Sequence, residues 1–203
     1  MKLYDGGRAP NPRRVTVFLA EKGIEVEKVP VDMGQMEHKS AEVTGLNPLQ
    51  TLPVLVLDDG TVITESVAIC RYFEELHPEP VLMGTDARDK AIVEMWNRRM
   101  ELNFLGPVAA AFRHTHPAMK EWEVPQLAEW GEVNRPKALA FLKLLDLELA
   151  GREFIAGDRY TIADITGMIA FDFMKPARIE RPDQLANVMR WYQSVAARPS
   201  AAK

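Results

Sequence analysis

The chain is short of most of the features that mark a specialised protein class. It has one cysteine, Cys70, in 203 residues, which excludes an intramolecular disulfide, a CxxC redox pair and a thiolate zinc cage. It has no excess of positive charge: 25 Lys and Arg against 29 Asp and Glu give a net charge of −4, so nothing draws it generally to nucleic acid or to an anionic membrane. No stretch reaches the roughly 18 uncharged apolar residues of a membrane span, and the opening Met1-Lys2-Leu3-Tyr4-Asp5 lacks a signal peptide's apolar run; a cytoplasmic location is expected. Glycine and proline, 12 and 14 in number, are too few for a low-complexity chain. Neither a GxxxxGK[ST] nor a GxGxxG phosphate loop is present. What remains is a composition of 47% hydrophobic and 27% charged residues, with length for one large domain or two small ones and with small molecules or another protein as partners.

Local signals order the elements. Leu3-Tyr4 reads as a short strand leaving into Gly6-Gly7-Arg8-Ala9-Pro10, and Asn11 followed by Pro12 is a helix-start signature. Val15, Phe18 and Leu19 supply that helix's buried stripe, and Gly23 stops it. The β-branched content of 24–31 predicts a second strand, and a short helix is expected around 40–44. Val54 to Leu57, then Asp58-Asp59-Gly60, then Thr61 to Ile63 reads as a hairpin, because Asp-Gly tolerates positive φ. A helix over 66–76 carries Ile69, Phe73 and Leu76 on one face, and His77-Pro78-Glu79-Pro80 ends it. Beyond lies a helical pattern only: Ile92, Trp96, Met100 and Phe104 along one helix, Leu142, Leu145 and Leu149 along another, and Leu185, Val188, Tyr192 and Val195 along the last. Thr161 and Asp164 have the spacing of a capping box, with Tyr160 and Ile165 as its hydrophobic staple. The domains expected are 1–78, a linker 79–86, and an all-α unit 87–203.

Four stretches in this order resemble the cytosolic glutathione transferase family over essentially the whole chain, its bacterial and theta-, beta- or nu-like members in particular. They are Ala9-Pro10-Asn11-Pro12-Arg13-Arg14-Val15, Asn47-Pro48-Leu49-Gln50-Thr51-Leu52-Pro53-Val54-Leu55, Thr64-Glu65-Ser66-Val67-Ala68-Ile69, and the Thr161 to Asp164 box. The resemblance implies a thioredoxin-like N-terminal domain followed by an all-helical bundle, glutathione as co-substrate without a metal, an apolar electrophile bound between the domains, and a homodimer paired through the helices after Glu65 and after Ala87. It implies that Pro53 follows a cis bond, so that the main chain of Leu52 pairs with the cysteinyl part of glutathione; a proline that merely opens an edge strand is the plainer alternative. It implies that Ser66 holds the γ-glutamyl carboxylate at a helix N-terminus and Glu65 the neighbouring ammonium, where Ser and Glu are also ordinary first-turn residues. His38, or Lys39 beside it, lies where the family supplies a cation for the glycyl carboxylate, unless either is simply a solvated charge on a loop.

The departure is at the first helix. Where such proteins place a Ser or Cys against the sulfur of glutathione, this chain has Ala9, which cannot lower a thiol pKa near 8.5. Tyr4 lies too early, inside the strand. Asn11 is the remaining candidate, either as an amide donor to the thiolate or as a plain N-cap. Ala9 also disfavours disulfide exchange, and the Ser-Ser-Cys opening of the maleylacetoacetate isomerase branch is absent. Cys70 reads as a small buried residue, His114 and His116 as a surface turn, Arg13-Arg14 and Arg98-Arg99 as surface charge, and Met95 and Met100 as either pocket lining or core filler.

Overall fold

Four short strands carry the N-terminal half: β1 (Lys2–Asp5), β2 (Glu27–Pro30), β3 (Val54–Val56) and β4 (Val62–Thr64), in the order β2-β1-β3-β4. The computed structural model describes residues 1–203 and divides into two units, Met1–Val81 with Ala202–Lys203, and Leu82–Ala201. In the first, β1 and β2 are parallel, so the chain crosses over through helix α1 (Pro10–Glu21), whereas β1 with β3 and β3 with β4 are antiparallel. Helices α2 (Ala41–Leu46) and α3 (Ser66–Leu76) complete it. Leu3, Val54, Leu55, Val15, Phe18, Ile69 and Phe73 form its buried interior.

Three boundaries differ from the sequence reading, each through a specific hydrogen bond. Helix α1 starts at Pro10 with Ala9 as its N-cap, not at Asn11. Pro10 and Pro12 bring no N–H, and Arg13 N–H closes the first turn on Ala9 O at 3.0 Å, so little is left for a capping side chain to satisfy. The second strand covers only Glu27–Pro30, because Ile24 N–H turns back to Leu19 O at 2.9 Å and belongs to the end of α1. In the hairpin, Leu57 and Thr61 leave the ladder for the turn, where Leu57 N–H bonds Thr61 O at 2.9 Å and Gly60 takes the expected positive φ of 87°.

The second unit is all helix: α4 (Ala87–Met100), a π-helical turn over Glu101–Leu105, α5 (Gly106–Thr115), α6 (Ala128–Leu149), α7 (Ile162–Phe173) and α8 (Ala186–Ala196). An apolar repeat of four drifts around a 3.6-residue helix, and the wider π turn removes the drift, so Met100, Phe104 and Val108 are all buried. Helix α7 is buried from Ile162 to Phe171, and both arms of the Thr161–Asp164 capping box form. The predicted stripe of α8 is rotated: Val188 and Val195 are buried with Trp191, whereas Tyr192 is half-buried and bonds Asp172 Oδ1 at 2.5 Å.

Candidate functional site

Strand register brings the motif residues of the first unit to one end of the sheet. Val54 pairs with both Tyr4 and Thr64, so Leu52-Pro53 before β3, Glu65-Ser66 after β4 and Gly6 after β1 leave the sheet at the same end. Their closeness is measurable at Gly6, where an added Cβ would lie 3.1 Å from Leu52 Cδ1, 3.2 Å from Pro12 Cγ and 2.7 Å from Met33 Sδ. A glycine is needed there because three segments meet over it.

The Leu52–Pro53 bond is cis. Neither Leu52 N–H nor Leu52 C=O bonds another protein group, although the residue is 6% exposed; buried main-chain groups of this kind normally have partners. The approach is braced by Asn47, whose Nδ2 donates to Thr51 O at 2.9 Å and whose Oδ1 accepts from Leu49 N–H at 3.1 Å. Gln50, between them, takes a positive φ of 55°.

Glu65 is the N-cap of α3, exposed, with φ 66° and ψ 119°. A non-glycine residue held there stores strain on the order of 1–3 kcal/mol, which structures tolerate chiefly at functional positions. Ile69 N–H is the first to pair, to Glu65 O at 3.0 Å, so the N–H groups of Ser66, Val67 and Ala68 remain directed out of the helix end. Ser66, the first residue of α3, is buried.

At α1, the first turn offers one unpaired main-chain donor, Asn11 N–H. The Asn11 side chain is exposed, and its Oδ1 accepts from Arg14 Nη1 at 3.3 Å, which turns its Nδ2 donors away from Arg14. Arg14 itself is 1% exposed, so the reading of Arg13-Arg14 as surface charge is wrong for Arg14. Nothing in the sequence distinguished them except phase: Arg14 and Phe18 share the face of α1 turned inward. Tyr4 Oη donates to Glu42 Oε1 at 2.9 Å, a bond that raises its pKa and holds the proton on the phenol. His38 is buried on a 3₁₀ turn over Glu37–Lys39, and burial, with Lys39 beside it, lowers its pKa. It is therefore neutral at pH 7, and Lys39 beside it is exposed.

The chain's relatives decide its family. Residues 9–76 match the glutathione S-transferase N-terminal domain and residues 109–199 the C-terminal domain. Glutathione S-transferase 2 of Saccharomyces cerevisiae is 37% identical over 206 residues, spanning 100% of this chain and 88% of that protein. The chain belongs to the glutathione S-transferase family. Among solved structures, a glutathione S-transferase domain-containing protein of Marinobacter aquaeolei VT8 superposes with a TM-score of 0.95 at 39% identity, over 98% of this chain and 99% of that one. Gtt2 of Saccharomyces cerevisiae gives 0.94 at 36% identity, over 100% and 99%. The glutathione S-transferase fold implied by the four sequence motifs is thus present, with a thioredoxin-like first unit and an all-helical second.

Other candidate groups of this glutathione S-transferase family member lie elsewhere. Burial pushes the Cys70 thiol up to about 12, so it stays protonated inside the first unit. His114 Nδ1 accepts from Leu127 N–H at 3.1 Å and His116 Nδ1 from Ala118 N–H at 3.2 Å; both rings are half-buried and tied to the chain after α5. A groove of about 570 Å³ is lined by Leu102, Gly106 and Pro107 from one side and by Trp130, Asn134 and Phe141 of α6 from the other, with Lys137 Nζ 4.5 Å from the Trp130 ring. It belongs wholly to the second unit and includes none of the motif residues of the first.

Proposed function

We propose that the protein binds reduced glutathione along Leu52 and conjugates it, through its sulfur, to an apolar electrophile. The observation that carries this reading is the unpaired N–H and C=O of a nearly buried Leu52, at the same sheet end as the unpaired first-turn N–H groups of α3. The first suits an extended peptide that adds itself like a strand; the second suits a carboxylate. Ser66 would hold the γ-glutamyl carboxylate, Glu65 the ammonium beside it, and His38 or Lys39 the glycyl end. Asn11 would donate through its main-chain N–H and Nδ2 to the thiolate. In the reaction the thiolate pair forms the S–C bond, the leaving group departs with the pair of the bond it breaks, and the thiol proton passes to solvent.

Binding is tested by calorimetry with reduced glutathione, and transfer by turnover with a generic aryl halide. Ser66→Ala is expected to weaken binding by about 1 to 3 kcal/mol, and wild-type affinity in that variant would remove Ser66 from the site. A second reading, a binding module with little transfer activity, is favoured by Ala9, an N-cap with no hydroxyl or thiol to offer. Heat of binding without turnover would select it. We also propose a cytoplasmic homodimer with a detoxifying role. The exposed Leu76 of α3 and Met95 of α4, 49% and 40% exposed, support pairing through those helices, and a one-chain mass by sedimentation would count against it.

A further inference from the structure

We infer that Arg14 is a positioning residue for the thiol, acting through Asn11, an inference that rests on the reading of Asn11 given above. Three observations meet at this pair. Asn11 is exposed at the first turn of α1, and an exposed carboxamide is ordinarily free to rotate its oxygen and nitrogen between two nearly equivalent orientations. Only one orientation serves a thiolate, because the oxygen turned toward sulfur would repel it. Arg14 Nη1, 3.3 Å from Asn11 Oδ1, selects the useful one: a guanidinium has donors only, so it engages the oxygen and leaves both Nδ2 donors on the far side.

The guanidinium can do this because it is itself fixed. Arg14 is 1% exposed, three residues on from Asn11 on the same helix face, and it lies close enough to the Cys70 thiol on α3 to act on it electrostatically. Phe18 and Lys22 follow it at four-residue spacing along α1, and Lys22 pairs with Glu74 of α3. By polarising the Asn11 carboxamide, the guanidinium makes Nδ2–H a stronger donor. A lysine in its place would keep the charge but lose the planar fork. The chain thereby compensates for Ala9: the hydroxyl missing from the N-cap is replaced by an amide two residues later, oriented from behind by a buried cation.

The test is the pKa of the thiol of bound glutathione, read from thiolate ultraviolet absorbance against pH, with affinity measured separately by calorimetry. Arg14→Met is expected to raise that pKa by about one unit, a tenfold loss of thiolate below the pKa, with little change in affinity for glutathione at a pH where the thiol is protonated. Arg14→Lys should recover part of the loss. In an Asn11→Ala background, Arg14→Met should change nothing further, because the path from Arg14 to sulfur is already cut. An unmoved pKa in Arg14→Met, or the same rise with Asn11 absent, overturns the inference while leaving glutathione binding intact. If Arg14→Met does not fold, Asn11→Asp decides: Arg14 still holds the carboxylate but no donor faces sulfur, so the pKa should exceed that of Asn11→Ala, and a value at or below it overturns the inference. Absence of any heat with wild-type protein would overturn both this inference and the reading beneath it.

Discussion

Replacing Asp164 by alanine is expected to lower the stability of the protein by roughly 3–5 kcal/mol, measured as a fall in urea midpoint at pH 7. Its carboxylate is 0% exposed and accepts four hydrogen bonds: Oδ1 from Ile155 N–H at 2.9 Å and Trp191 Nε1–H at 2.8 Å, and Oδ2 from Thr161 N–H at 2.9 Å and Thr161 Oγ1 at 3.1 Å. Alanine would leave the three N–H donors buried without an acceptor, each worth about 1–3 kcal/mol. It would also undo the cap of α7 and the anchorage of α8 through Trp191 together.

The same residue sets a pH dependence. Burial pushes its pKa from 3.8 up to about 6, in spite of the four donors that pull it down. A folded state with the higher pKa binds the proton more tightly than the unfolded chain. Asp164 therefore contributes most stability below pH 4, and the contribution is lost as pH rises through about 6. The gap between 3.8 and about 6 corresponds to on the order of 3 kcal/mol. Asp164→Asn, which does not titrate, should show a flatter stability profile over that window, whatever its absolute stability. Parallel profiles for the two proteins would show that the carboxyl does not change protonation there.

The second large effect is expected at Lys22. Its side chain is 0% exposed, with Nζ 2.7 Å from Glu74 Oε2, and that carboxylate is 7% exposed. The same ammonium donates to His77 O at 2.7 Å and Pro80 O at 2.8 Å, tying the end of α1 to the chain leaving α3. Lys22→Ala removes this cation from a buried carboxylate, together with its two main-chain bonds, and should cost about 3–5 kcal/mol. The double variant Lys22→Met with Glu74→Leu should lie within about 1–2 kcal/mol of wild type, since two apolar side chains of similar size need no desolvated charge. Equal losses in the single and double variants would mean that packing, not the pair, is what Lys22 supplies.

Much of the candidate glutathione site is legible in the amino-acid sequence. Pro53, Glu65 and Ser66 announce themselves because each belongs to a short motif: a proline ahead of a hairpin, and a helix start behind it. Asn11 is legible as a candidate donor beside its plainer reading as an N-cap, but the way its amide faces depends on whether Arg14 is inside or outside. Charge runs are read as surface by default, and only packing reverses that. The sequence offers His38, or Lys39 beside it, as a cation, whereas burial, which no local pattern reports, lowers the pKa of His38. Trp191 escapes notice for a related reason: the apolar face of α8 is phased on Leu185 and Tyr192 in the sequence, whereas the indole N–H is drawn to a carboxylate on α7.

By itself the amino-acid order determined the sequence of elements, the hairpin turn, the stops of α1 and α3, and the capping box of α7, because each depends on main-chain preferences and neighbours within a few residues. Tertiary structure alone decided which charges are buried, which way the Asn11 amide faces, where the long helix relaxes into a π turn, and that three separate segments meet over Gly6. These outcomes depend on desolvation and close packing between groups far apart in the chain, which have no signature until the chain has folded.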